Sequence, residues 1–412
     1  MFKEKPVYPR ITTLWLTCFW MYFSTLGSFS FTVNIATSAV FSTVLLILIF
    51  ISSRSSRSHS FSKTGISLFI NLVLILMVAL QFITGLTNGF DFGSDISLFS
   101  LTLLAFFVLF LVDFNHVLRA FYLSGLGLAS IGWAVEILRL NTVHFASGYS
   151  FNPLGWRWMG LQSHPNIAGL TLAIVFSLAI SKFKNYPVAI FTLITILIAE
   201  HRGGLIGITL VLAFMTIYNF SKFDVGTKLA VGSGWLLFVL IAPLALVSRL
   251  GTDDLSTGRV AIWSICQNLI TQSPFIGSGP NTMTRLFGLD LYSSMTPFHC
   301  HNQLLDDLVN YGFLGGLIPT FCLIFCLTIT SLKKNPSIAT IWFVIAASWF
   351  VESPFRLFTT QPSAFVNLFI LLLIANSLPK YRAEVIPKSS KQIRVDLGLT
   401  DVNSYKIRTP RN

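Results

Sequence analysis

Two histidines, His299 and His301, stand one residue apart in the stretch FHCHNQLLDDLVNYGFLGG, Phe298 to Gly316, just ahead of an amphipathic run. Such a pair can serve as a metal site, as a base or as a hydrogen-bonded knot. A neutral imidazole accepts a hydroxyl proton at neutral pH, so a base is the reading with chemical content. His301 is the stronger candidate, because it opens the run Leu304, Leu305, Leu308, Val309 and precedes Asn302, an amide able to steady a ring or a ligand. The metal reading is weak: no Cys, Asp or Glu set completes a site with the usual spacing. Asp253 and Asp254 stand side by side instead of forming the D-x-D pattern that holds a divalent ion for nucleotide-sugar chemistry.

Three further clusters carry polar groups: RWMGLQSHPNIAG (Arg157–Gly169), AEHRGG (Ala199–Gly204) and STGRVAIW (Ser256–Trp263). The planar arginine fork grips phosphate or carboxylate in two-point fashion and keeps its charge in a low-dielectric setting. Arg202 falls where one apolar run ends and the next begins, with Gly203 and Gly204 allowing close backbone approach. A helix N-terminus there would add positive potential for a bound anion. Arg259 follows Gly258 at the start of an amphipathic segment, where a cation opposes the helix dipole; that placement makes sense if an anion binds. Ordinary snorkelling accounts for Arg139 and Arg249. PFIGSGP, with Gly277 and Gly279, resembles a phosphate loop only superficially, lacking the lysine and the flanking strand.

The elements that hold these clusters are membrane spans. Of the 412 residues 53% are hydrophobic and 11% charged, against about 25% charged in a soluble domain. The apolar runs are continuous and long enough for the roughly 30 Å of a bilayer core, which points to helices instead of a barrel. Twelve spans are expected, at 11–29, 32–51, 66–87, 95–112, 117–138, 165–181, 187–200, 204–220, 229–247, 313–331, 337–351 and 363–379. The fold class is all-α and polytopic. With the N-terminus inside, only seven of the 28 Lys+Arg fall outside, all of them arginine; the other 21, including every lysine, fall inside. That is the positive-inside pattern, and it accounts for the net charge of +12 without nucleic acid. All four polar clusters then lie at the outer face, together with His144, His164 and His201.

Four regions follow: nine spans over 1–247, an outer loop over 248–312, three spans over 313–379 and a basic cytoplasmic tail over 380–412. Two short interfacial helices, about 257–271 and 301–311, are expected within the outer loop. The five cysteines show no framework spacing, and Cys322 and Cys326 read as packing residues within a span. No small-residue cleavage site follows the first apolar run, so no cleavable signal peptide is expected.

The ordered set, an arginine-glycine helix junction, then GR…W…SPFIGSGP, then HCHNQLLDDLVNYGFLGG, resembles the bacterial O-antigen ligase and O-antigen polymerase superfamily over about 150–320. The segment RWMGLQSHPNIAG adds to the likeness. The resemblance implies a twelve-helix membrane protein that moves a glycan from undecaprenyl diphosphate to an acceptor hydroxyl at the outer face of the bacterial inner membrane, both termini being cytoplasmic. It implies an inverting glycosyltransferase working without metal, nucleotide or other cofactor. Arg202 and Arg259 would grip the diphosphate and His301 would be the base. His299, Asn302, Arg157, His164 and Asn166 would bind substrate. Membrane lipid, a lipid-linked donor and a glycan or lipid A-core acceptor are the implied partners, with a chain-length regulator and other polysaccharide-assembly proteins beside them. The compact loop and the SHPN segment lean toward a polymerase of O-antigen, capsule or exopolysaccharide, and HCHN toward a ligase. Protein-glycosylating relatives carry a large C-terminal outer domain, whereas this chain ends in a short basic tail. A transporter is disfavoured, because polar groups gather at one face and no internal repeat is visible.

The charge pattern makes a direct prediction. An impermeant thiol reagent should label Ser256→Cys and Ser294→Cys in intact cells and spare Ser390→Cys. Labelling at position 390 would reverse the orientation.

Overall fold

The computed structural model describes residues 114–138, 144–146, 156–162, 164–219, 259–279, 282–287, 299–332 and 335–351, and isolated positions at 13, 14, 16–18, 21, 224, 226 and 373. The spans expected at 32–51, 66–87, 95–112 and 229–247, and nearly all of those at 11–29 and 363–379, lie outside the described residues. Helices occupy most of the rest: α1 Phe114–Ile137, α2 Pro165–Leu178, α3 Tyr186–Ala199, α4 Arg202–Asn219, α5 Arg259–Gln272, α6 Thr282–Phe287, α7 Gln303–Leu332 and α8 Pro336–Val351. Residues 115–137, 165–183 and 202–219 are long and apolar enough to cross a membrane; 186–199 and 336–349 are shorter apolar helices. The protein is thus a helical membrane protein, as its apolar runs predict. One element departs from all-α. Strands β1 His144–Ala146 and β2 Trp156–Trp158 pair antiparallel, with Phe145 opposite Arg157, within what reads in the sequence as a plain outer loop.

Helices α2 and α3 form a tight hairpin whose turn the sequence specifies. Helix α2 passes into a π-turn over Ala179–Phe183, and Lys184 closes it in the left-handed conformation. Asn185 then caps α3, its side-chain oxygen accepting the Val188 N–H, with Pro187 in the first turn. Lys182 and Lys184 mark this end of the bundle, and the Lys182 ammonium donates to Asn115 at the start of α1 (2.6 Å).

Small and hydroxylic residues set the helix spacing, as they do where lipid supplies no hydrophobic drive for association. A Cβ at Gly207 of α4 would come within 2.8 Å of the Val344 Cα in α8, so these helices meet nearly backbone to backbone. Thr340 of α8 donates to Ser181 (3.2 Å), and Ser177 donates to the Thr340 carbonyl (3.4 Å). Trp342, Ile341 and Ile345 of α8 are buried with Val175, Leu178 and Val211 in one continuous core. The start of α8 therefore lies at the lysine end. So does Leu332, the end of α7, a few residues before it. The other end of the bundle holds the starts of α2 and α4 and the first half of α7.

Helix α7 is broken at Gly312, whose φ of 64° and ψ of −166° lie outside any helix. An unbroken helix would pair the N–H groups of Phe313 and Leu314 with the carbonyls of Val309 and Asn310. Here those bonds are exchanged with a loop. Phe313 and Leu314 donate to the carbonyls of Pro274 and Phe275 (2.8 and 3.1 Å), while the carbonyls of Val309 and Asn310 accept from Ser278 and Gly279 (2.8 and 2.9 Å). The PFIGSGP segment is a backbone clamp on the helix break. The two limbs of α7 then fold close together. Residues 307 and 316 would lie roughly 13 Å apart along an unbroken helix, yet a Cβ at Gly316 would sit 2.7 Å from the Asp307 carbonyl.

Gly277 and Gly312 both have positive φ, and a Cβ on either would collide with backbone across the clamp, Gly277 with Asn310 and Tyr311, Gly312 with Phe275. Gly277→Ala and Gly312→Ala should each cost about 1–3 kcal/mol, read as a clear drop in Tm in detergent. Gly127→Ala, facing only the flexible end of Met21 at 3.3 Å, should leave Tm nearly unchanged. Wild-type Tm in both clamp variants would refute the clamp.

Candidate active site

The polar residues at the non-lysine end form two groups on different supports. The first surrounds the junction of α3 and α4. Helix α3 ends at Ala199 and Glu200 takes a left-handed turn (φ 52°), its N–H donating to the Leu197 carbonyl. His201 is buried, and its Nδ1 accepts the Gly204 N–H (3.0 Å), capping α4. Its ring occupies space that a side chain at Gly169 or Gly204 would fill, so both glycines serve the junction. Arg202 is then the first residue of α4, half-buried, at the positive end of the helix.

Arg157, brought in by β2, braces the same junction. Its Nε donates to the Ala199 carbonyl (3.0 Å), and one terminal nitrogen donates to Asn166 Oδ1 (2.8 Å) and to the Glu200 carbonyl (3.4 Å). A guanidinium over the last carbonyls of a helix satisfies groups the helix cannot and meets the negative end of its dipole. His164 is the N-cap of α2, its Nδ1 accepting the Asn166 N–H (3.1 Å). The structure thus links His164, Asn166 and Arg157 by hydrogen bonds to the end of α3. It gives all three framework contacts, which their sequence pattern did not disclose.

The second group is the HCHN turn. Asn302 is the N-cap of α7: its Oδ1 accepts the Leu305 N–H (3.1 Å), and its carbonyl accepts from Asp306. Its amide oxygen therefore serves the helix, a role distinct from steadying a ring. His301 precedes the cap in the left-handed conformation at φ 49°. For a non-glycine residue that conformation costs about 1–2 kcal/mol and is held only where neighbours over-determine it. His299 Nδ1 accepts the His301 N–H (3.1 Å), and the two half-buried rings lie 4.0 Å apart. They share one location, as their spacing predicts.

What over-determines the turn is Cys300. It forms a disulfide with Cys266 of α5, its carbonyl accepts the Trp263 indole N–H (3.0 Å), and its N–H donates to the buried Asp306 carboxylate (3.0 Å). The disulfide corrects the expectation of cysteines without a framework. One signal was available: Cys266 and Cys300 are the two cysteines of the outer loop. Trp263 and Cys266, one turn apart on α5, both face the histidine turn. Among the described residues no three His, Cys, Asp or Glu side chains converge as a metal site.

The O-antigen ligase family matches residues 187–320, a stretch containing both the Arg202 junction and the His301 turn. The match covers less than half of the chain and supports the O-antigen ligase and polymerase superfamily. No curated protein matches the chain. That family is glycosyltransferase-like and processes membrane glycans, which supports a membrane enzyme of that broad class.

The disulfide has a simple signature. In unreduced, denatured protein Cys266 and Cys300 should resist alkylation, and both should react after reduction. Alkylation of either without reductant would refute the bridge.

Proposed function

We propose that the protein is a metal-independent, inverting glycosyltransferase at the outer face of the bacterial inner membrane, working as a surface-polysaccharide polymerase. The reading is supported by two arginine-bearing helix starts, at Arg202 and Arg259, and by the left-handed His301 turn, which lie at the end of the bundle away from the lysines. A disulfide on that end suits an oxidising, extracytoplasmic compartment.

The acceptor hydroxyl oxygen attacks the anomeric carbon of the lipid-linked glycan while His301 takes the hydroxyl proton. The bond from that carbon to the diphosphate oxygen breaks, and undecaprenyl diphosphate leaves with the electron pair. Arg202 and Arg259 stabilise the charge developing there. Displacement from the opposite face inverts the anomeric centre. His299 positions the acceptor. Arg157, His164 and Asn166 shape the donor side of the site through the Arg202 junction.

A ligase reading is favoured by the name of the matching family; the chemistry is shared and only the acceptor differs. Deletion separates them: lipid A-core bearing a single repeat marks loss of a polymerase, and polymer accumulating on undecaprenyl diphosphate marks loss of a ligase.

Purified protein with a lipid-linked donor tests the chemistry. Arg202→Ala and Arg259→Ala should each abolish transfer, and Lys at either position should restore only part, since charge returns without the fork. Arg249→Ala should be tolerated. His301→Ala should remove nearly all transfer while donor binding survives, and His299→Ala should leave a measurable fraction. Full activity in His301→Ala would exclude the base role, and wild-type polymer from both arginine-to-alanine variants would reduce those residues to interfacial anchors.

A further inference from the structure

Among the described residues, the second group of site residues rests on a hydrophobic cluster of its own. Its core is Ile262, Cys266, Met283, Cys300 and Val309, separate from the large core of the bundle. Within it Cys300 is held at every group it offers: side chain by Cys266, carbonyl by Trp263, N–H by Asp306. Two of these anchors belong to α5 and one to α7, so Cys300 joins the helix that begins at Arg259 to the helix that follows His301. Both neighbours of Cys300 are the candidate histidines. We propose that Cys300 is a joint that positions His301 against the start of the Arg259 helix, with Cys266, Trp263 and Asp306 as its anchors.

These four are positioning residues, and their assignment rests on the glycosyltransferase reading above. Each anchor opposes a different displacement. The disulfide fixes the separation of the turn from α5. The indole N–H fixes the tilt of the peptide that links Cys300 to His301. Asp306 fixes the opposite peptide, from His299, and draws the turn onto the first turn of α7. His301 holds a left-handed backbone only under such constraint. Relaxation of the joint would let the turn move away from α5 without touching the Arg202 junction, which is braced separately by Arg157. The expected defect is in kcat, with donor binding retained.

The test uses the purified, oxidised full-length protein with a lipid-linked diphosphate glycan and a hydroxyl acceptor. Asp306→Ala should lower kcat about a hundredfold, the scale of a misplacement near 1 Å, with donor affinity unchanged. Asp306→Asn should recover most of the rate, because its carbonyl oxygen can still accept the Cys300 N–H. A second arm avoids variants altogether. A dithiol reductant converts the bridge to two thiols, supplying two electrons and two protons while being oxidised to its own disulfide. The reduced protein should lose kcat while binding donor, and reoxidation should restore it. Wild-type kcat in the reduced protein, or loss of donor binding together with transfer on reduction, would overturn the joint. Absence of transfer by the oxidised wild-type would instead refute the glycosyltransferase reading.

Discussion

The exchange of hydrogen bonds at Gly312 is the constraint on which the outer part of the molecule depends. A helix that breaks near a membrane interface exposes carbonyls and N–H groups that lipid cannot satisfy. Of the groups freed by the break in α7, the loop from Pro274 to Gly279 pairs two N–H groups and two carbonyls. The exchange needs close backbone approach, which is why Gly277 and Gly312 stand opposite one another's partners. Once it is made, α7 can turn back on itself. Its first limb can then bring the histidine turn against α5 instead of extending into solvent.

That geometry leaves a module whose core, among the described residues, is separate from that of the bundle and must be held in place. Small modules commonly add covalent staples. The Cys266–Cys300 bridge spans 34 residues, and closing a loop of that size restricts the unfolded chain by about 3–4 kcal/mol. The loop it closes contains the whole PFIGSGP segment. Clamp and bridge thus reinforce one another: the clamp orients α7, and the bridge holds the turn at its head to α5.

The spans at 165–181, 187–200, 204–220 and 337–351 were legible because a membrane helix announces itself in a continuous apolar run, and the structure has helices Pro165–Leu178 with its π-turn, Tyr186–Ala199, Arg202–Asn219 and Pro336–Val351. The amphipathic helices expected near 257–271 and 301–311 were legible for the same local reason. Contacts between distant segments were not. Arg157 reads as a substrate ligand, and its bond to the end of α3, some forty residues onward, is legible only once β2 is seen to carry it there. PFIGSGP reads as a degenerate phosphate loop until its partner at Val309–Leu314 is known. Asn302 reads as a partner of His301, and its amide oxygen accepts from the first turn of α7. For Arg157 and PFIGSGP the residue type was informative and the partner lay far along the chain, whereas the Asn302 partner, Leu305, is local.

The two arginines at the α3–α4 junction show how helix polarity divides identical side chains between two tasks. Arg157 lies over the last carbonyls of α3, where the negative end of the helix dipole and three hydrogen-bond acceptors hold its charge. Arg202 begins α4, where the positive end of the dipole opposes its charge. Placing a cation there raises the energy of the empty junction and lowers that of the junction with an anion bound. The effect is strongest near low-dielectric membrane depth, where charge is poorly screened. Arg157 therefore stabilises the fold, and on the proposed reading Arg202 would favour bound negative charge in the same few residues. The buried His201 between them keeps the two helix ends in register, so that brace and preference act at one place.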